Sequence, residues 1–380
     1  MRTSQQHFSN GQWKDLNHSE GFNASGCQLV LAFGARECIS DPAIFEAIRK
    51  NYANANIVMA STSGEILGDN VYDESVAVTA IEFEKTSLKC VATNISQHAG
   101  SYETGLALMT QLESEGLNSV FVISDGAHIN GSELVAGLNQ NIGKNVPITG
   151  GLAGDAARFT MTLTSLNAVP SEGNVIAVGF YGDNLLVGHG SFGGWDEFGP
   201  ERIVTKSDKN VLYEIDGKNA LELYKQYLGD YVAELPGSAL LFPLSLREQG
   251  SDENLVRTIL SIDEDASSMT FAGNLPEGST VRLMKANFDK LIEGSSDAAT
   301  YSFAGIKNHQ PELAILISCV GRKLILQERT EEELQAAKEI LGDKAVITGF
   351  YSYGEISPFN PSSKCELHNQ TMTITTFTEI

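Results

Sequence analysis

The stretch VITGFYSYGEISPF, residues 346–359, passes from an apolar, strand-like segment into Gly354-Glu355 and on through Pro358. Two earlier stretches have the same form. NIVMAS (56–61) leads to Gly64-Glu65, and VPITG (146–150) leads to Gly154-Asp155. Each follows an apolar run and a helix-like segment: CQLVLAF with SDPAIFEAIRK, SVFVIS with SELVAGLNQ, and LAILISC with TEEELQAAKEIL. Phe33 to Gly64 spans 31 residues, Ser124 to Gly154 spans 30, and Cys319 to Gly354 spans 35. A period this even marks an internal repeat, each copy reading strand, helix, strand, Gly-acid turn. Asp41 before Pro42 suits the start of the first helix, and Thr330 with Glu333 has the spacing of a capping box.

A β-branched stretch follows each turn: SVAVTAIEFE, NVIAVGFYG and QTMTITTF. After the first two, LKCVATNI and NLLVGHG come within a short turn, a pattern that reads as hairpins. The expected fold is α/β, with mixed sheets built from repeated β-α-β plus hairpin units in two closely packed parts. A helix over NALELYKQYLG (219–229) leads into DYVAELPGS, which places the boundary near residue 230. Beyond it come ALLFPLSL and a strand pair around AGNLPEGSTVRLMKA. The domains then read as a polar lead-in at 1–26, a first domain at 27–230 and a second at 231–365, with a final strand to 380.

The chain's 380 residues suffice for a sizeable core. With 26 Lys and Arg against 48 Asp and Glu, the formal charge is −22. That argues against nucleic acid or anionic membrane as a partner, since both are held by clustered basic residues. The N-terminus has no signal-peptide core, and no apolar run is long enough to span a bilayer. The five cysteines form no C-x-x-C pair. A cytoplasmic protein without a disulfide framework or structural zinc is expected.

Several motifs fail on their context. GHGSFGG (188–194) is a literal G-x-G-x-x-G, but WDEFGP follows where a dinucleotide site needs a helix. Ser352 lacks the first glycine of a G-x-S-x-G elbow, so no catalytic nucleophile is signalled. The seven histidines are isolated, and no metal site is expected. The Gly-acid turns have two readings. In one they are structural, the acid capping neighbouring N–H groups. In the other they line a crevice at strand C-termini, where α/β sheets bind ligands. The candidate ligand contacts are then Gly150, Gly151, Asp155, Tyr351, Tyr353, Gly354 and Glu355. Asp125, His128 and Arg322 join them from loops after first strands. Glu355 as a general base is the enzymatic alternative, and a scaffold without a ligand is the third reading.

TGGLAGD, GPERIVTKSDKNVLYEIDGKNALELYKQYLG, PEGSTVRLM and GFYSYGEISP with ELHNQTMT together resemble the FIST sensory proteins, over roughly residues 27–372. The resemblance implies a FIST N-terminal and a FIST C-terminal domain in a bacterial cytoplasmic sensor, not an enzyme. Its implied ligand is an amino acid or similar metabolite held in a cleft. Its implied partner is a separate signalling protein, such as a histidine kinase or diguanylate cyclase. One branch of the family binds haem through a histidine and senses nitric oxide. No cofactor follows from the residues, but in that branch His189 is the first candidate axial ligand and His128 the second.

Overall fold

A computed structural model describes residues 1–140, 142–143, 146–235, 237–307, 309–360 and 363–380. The three repeats build three six-stranded mixed sheets. In each, the two strands of a βαβ unit pair in parallel: Leu29–Gly34 with Asn56–Ser61, Leu117–Ser124 with Ile148–Leu152, and Leu313–Cys319 with Val346–Ser352. The third strand of the unit lies antiparallel on the first: Val76–Glu82, Asn174–Tyr181 and Met372–Glu379 respectively.

The remaining strands are exchanged between units. After each Gly-acid turn the chain leaves its own sheet and pairs with the second strand of another unit. Glu65–Leu67 joins Val346–Ser352, Thr164–Leu166 joins Asn56–Ser61, and Gly354–Pro358 joins Ile148–Leu152. The two predicted hairpins are not formed. Ser87–Asn94 leaves Val76–Glu82 to pair with Asn174–Tyr181, and Leu185–Phe192 crosses to Met372–Glu379. Arg2–Ser9 completes the cycle by pairing with Val76–Glu82, so the polar lead-in is a strand of the first sheet. Tight hairpins do occur elsewhere, as between Glu65–Leu67 and Asn70–Tyr72 and between Gly354–Pro358 and Cys365–His368. The result is a topologically closed ring of three units.

One core fills the ring. Phe33, Phe121, Ile123, Ile315, Phe350 and Phe377, drawn from all three units, are almost wholly buried together. Each such side chain contributes about 1.5–3 kcal/mol on leaving water. Helices cover the outer faces. Pro42–Asn51 starts where expected, with the Ala43 N–H donating to the Asp41 carboxylate at 2.9 Å. The expected capping box at Thr330 is absent, because Arg329 holds the cap position and Glu333 turns inward toward Arg322.

GHGSFGG also finds its explanation in packing. It lies in Leu185–Phe192 and the turn after it, and helix Phe288–Gly305 crosses directly above. A Cβ on Gly188 would overlap the Ser302 carbonyl, and one on Gly190 the Ala298 carbonyl. The bare backbone admits a helix there.

Between strand Leu185–Phe192 and helix Phe288–Gly305 the chain makes an excursion with its own core. Eight strands from Asp196–Asp208 to Thr280–Lys285 form a separate antiparallel sheet under helix Ala220–Leu228. The expected strand pair around AGNLPEGSTVRLMKA does not form. Ser268–Phe271 lies on Val211–Ile215, whereas Thr280–Lys285 pairs with Asp196–Asp208 and Leu244–Arg247. None of the described helices is long and apolar enough to cross a membrane.

Candidate functional site

The three Gly-acid turns meet at one end of the ring and interlock through their backbones. The Ser63 N–H donates to the Tyr351 carbonyl, the Tyr351 N–H to the Gly64 carbonyl, and the Gly154 N–H to the Ser61 carbonyl. Their acids are sealed from solvent. Glu355 accepts from the Ser352 hydroxyl (2.6 Å), the Thr371 hydroxyl (2.9 Å) and the Thr371 N–H (3.2 Å). Burial pushes its carboxyl up to about 8, against the opposing pull of those donors. Glu65 accepts from Thr62 and Ser75, both at 2.6 Å, and burial raises it to about 7.

Asp155 has different partners. Arg36 Nη1 donates to it at 2.9 Å, Arg158 Nε at 2.7 Å and the Thr160 hydroxyl at 2.8 Å. Both arginines also reach Glu37 at the surface. The chain then runs through a loop before its exchanged strand begins at Thr164. In that loop Ala156 and Phe159 both take positive φ, 50° and 52°. Such values are uncommon for residues with side chains and persist where the surroundings hold them. Asp155 supplies that hold, and Phe159 is left 45% exposed, stacked on Tyr353 with ring centroids 4.5 Å apart. The Tyr353 hydroxyl fixes the pair by accepting the Phe159 N–H at 2.9 Å.

Phe159 and Tyr353 form one wall of a cavity of about 320 Å³ between the ring and the excursion. Gly126, Ala127, His128 and Leu152 continue the ring side, while Asn210, Leu260, Phe271 and Ala272 face them from the other sheet. A second lobe of about 600 Å³ shares His128 and Asn130 and extends past Ser101, Glu103, Glu133 and Lys209. His128 therefore stands where the two lobes meet.

Behind it, Asp125 is fully buried and organises the loop. Its carboxylate accepts the N–H groups of Ala127 (2.8 Å), His128 (2.7 Å) and Gly173 (2.9 Å), and lies 3.3 Å from His128 Nδ1.

The structure thus brings two of the sequence candidates, His128 and Tyr353, onto the cleft wall, with Asp125 directly behind. Asp155 stands one layer further back, beneath the Phe159 loop. Gly150 and Gly151 lie inside a strand. Gly150 has φ 146°, and a Cβ there would overlap Val122, so its role is close packing of parallel strands. Gly354 and Glu355 belong to the sealed turns.

Tyr351 is wholly buried and donates to Glu333 at 2.8 Å. Arg322 does bind a carboxylate, but an internal one: Nε and Nη2 donate to Glu333 at 2.9 and 2.8 Å. His189 is not among the residues lining the cleft. It sits in the sheet beneath helix Phe288–Gly305, and burial lowers its imidazole to about 4. Among the described residues no cluster of three His, Cys, Asp or Glu could hold a metal ion.

The opposite wall of the cleft was not legible in the sequence. Asn210 and Lys209 occupy an ordinary hairpin turn. Leu260 sits at an irregularity where the register slips between Ile259 and Ser261. Nothing local distinguishes these residues, because only tertiary contact turns them toward the ring.

An uncharacterized protein from Methanocaldococcus jannaschii is 22% identical over 357 residues, covering 82% of this chain and 66% of its own length. The chain therefore spans just under two thirds of that relative. Among solved structures, a cyanuric acid hydrolase from A. caulinodans aligns over 94% of this chain and 91% of its own, at 7% identity and a TM-score of 0.37. The FIST N domain matches residues 28–218 and the FIST C domain residues 220–358. With both domains present in order, the chain belongs to the FIST family, whose domains are associated with signal-transduction sensing.

Proposed function

We propose that the protein is a sensor that holds a small metabolite in the cleft between ring and excursion and passes its occupancy to a separate signalling protein. The observation that carries this reading is the two-lobed cleft, walled by two bodies that each have their own core. A ligand touching Phe159, Tyr353 and His128 on one side and Asn210, Phe271 and Ala272 on the other favours whichever arrangement of the two bodies it contacts best. A ligand shifts an equilibrium only through such differential contacts. The mixed lining suits a metabolite with an apolar body and a few polar groups.

A thermal-shift panel of amino acids and other small metabolites tests this. At one hundred times its dissociation constant a cleft ligand stabilises by about 2.7 kcal/mol. The shift should vanish in Ala272→Phe, which fills the cleft from the excursion side. A shift that survives that substitution, or a panel with no shifts at all, counts against the reading.

A further inference from the structure

One sheet of the ring ends on an open edge. In the second unit Ser87–Asn94 lies antiparallel on Asn174–Tyr181 over all eight residues, without a bulge, and it is the last strand of its sheet. The Ile95 N–H donates to the Gly173 carbonyl at 2.9 Å, which makes the odd-numbered residues the hydrogen-bonded pairs of this ladder. The N–H and C=O groups of Leu88, Cys90 and Ala92 therefore point away from the sheet. None of them has a hydrogen-bond partner among the described residues. Ala92 is exposed, and Leu88 and Cys90 are half-buried.

The other two units are closed at the same place. Arg2–Ser9 holds it beside Val76–Glu82, and Gln12–His18 covers its outer edge as an antiparallel strand. Leu185–Phe192 holds it in the third unit, where it runs against Gly354–Pro358 and the Leu185 carbonyl accepts from Asn118 Nδ2 at 3.0 Å. At the far side of the second unit's sheet, Cys365–His368 is tied down by Asn139 and Arg257, which donate to the Cys365 and Leu367 carbonyls. A long, regular edge is a template for a further strand, and proteins that keep one single blunt it with a free charge, a proline or a bulge. Ser87–Asn94 has no proline and one charge, Lys89, which Glu113 holds at 2.9 Å.

We propose that a second copy of this chain covers the edge, its own Ser87–Asn94 pairing antiparallel about a two-fold axis at Cys90. In that register Leu88 meets the partner's Ala92 and Lys89 meets the partner's Val91. A large side chain then lies against a small one, and no like charges are opposed. The strand contains no acid, so two chains of formal charge −22 meet where neither repels the other. One strand pair buries little area, which puts the dimer in the weak, reversible class.

Sedimentation velocity of the full chain from about 1 to about 500 µM should show a monomer–dimer equilibrium. Hydrogen exchange over the same range should slow at the amides of Leu88, Cys90 and Ala92 as the dimer forms, because those amides gain partners. Ala92→Pro removes an outward N–H without touching the ladder to Asn174–Tyr181, and should weaken the dimer by at least about tenfold. Ala92→Lys should act in the same direction through charge, and it keeps the backbone intact if the proline variant fails to fold.

A dimer that Ala92→Lys leaves at full strength overturns the proposal, as does one whose three amides exchange no more slowly than in the monomer. Protection of those amides in the monomer shows the edge covered within the chain and overturns it too. A chain that stays monomeric across the whole range leaves the edge to a strand of another protein, and the self-pairing falls.

Discussion

Two of the three Gly-acid turns run straight from the acid into an exchanged strand, and the third does not. Among the described residues, the side chains that donate to Glu65 and Glu355 are all hydroxyls. At Asp155 the chain first makes a loop, and Arg36 and Arg158 reach the carboxylate from the surface. The same turn therefore has two electrostatic solutions. A sealed carboxyl surrounded by hydroxyls is pushed by burial toward its protonated form. One that meets arginines is held as an ion pair. The ion-paired turn is also the one beside the cleft, where it fixes the strained loop carrying Phe159.

Breaking the ion-paired turn should have the largest effect. Asp155→Asn leaves two guanidinium groups facing a neutral amide and loosens the hold on Ala156 and Phe159. We expect a loss on the order of 3 kcal/mol, read from the urea midpoint. Stacking of Phe159 on Tyr353 should weaken at the same time, seen as a change in near-ultraviolet circular dichroism.

The protonated pair is tested by pH. The folded-state values of Glu65 and Glu355, about 7 and 8, lie above the ordinary 4.5. Their contribution is therefore complete below pH 4.5 and is lost as pH rises through 7 and 8. Between pH 4.5 and those values each acid's contribution declines progressively as pH rises. The wild-type curve should fall from pH 5 to 8 relative to a Glu65→Gln/Glu355→Gln variant. Parallel curves for the two proteins would sink the assignment.

The smallest effect belongs to Glu355→Gln alone below pH 4.5, where the wild-type carboxyl is protonated both folded and unfolded. An amide can still accept from Thr371 and donate to Ser352, so the expected change is within about 1 kcal/mol. A loss as large as that of Asp155→Asn would erase the distinction between the turns.

How much of this was legible varies with the range of the interaction involved. The βαβ repeats were legible because apolar periodicity, the Asp41-Pro42 start and the spacing of the turns are all local. The exchange of strands was not, because Val346–Ser352 carries no mark saying that its partner comes from residues 65–67. Tyr351 and Tyr353 look alike in sequence, yet one strand ends at Ser352 and the next begins at Gly354. That break leaves Tyr351 buried on Glu333 and turns Tyr353 to the cleft. Arg322, a candidate ligand contact in the sequence, instead binds the carboxylate of Glu333, eleven residues along the same chain.

By itself the sequence determined the units: their strands, their helices, the acid at the end of each second strand, and the family they belong to. Hydrophobic period and turn chemistry act over a few residues and leave little choice at that scale. Tertiary structure alone decided which strand each unit gives away, which acid meets arginine, and which residues face one another across the cleft. Those outcomes depend on groups far apart in the chain, and only the closed ring and the excursion packed on it bring them within hydrogen-bonding distance.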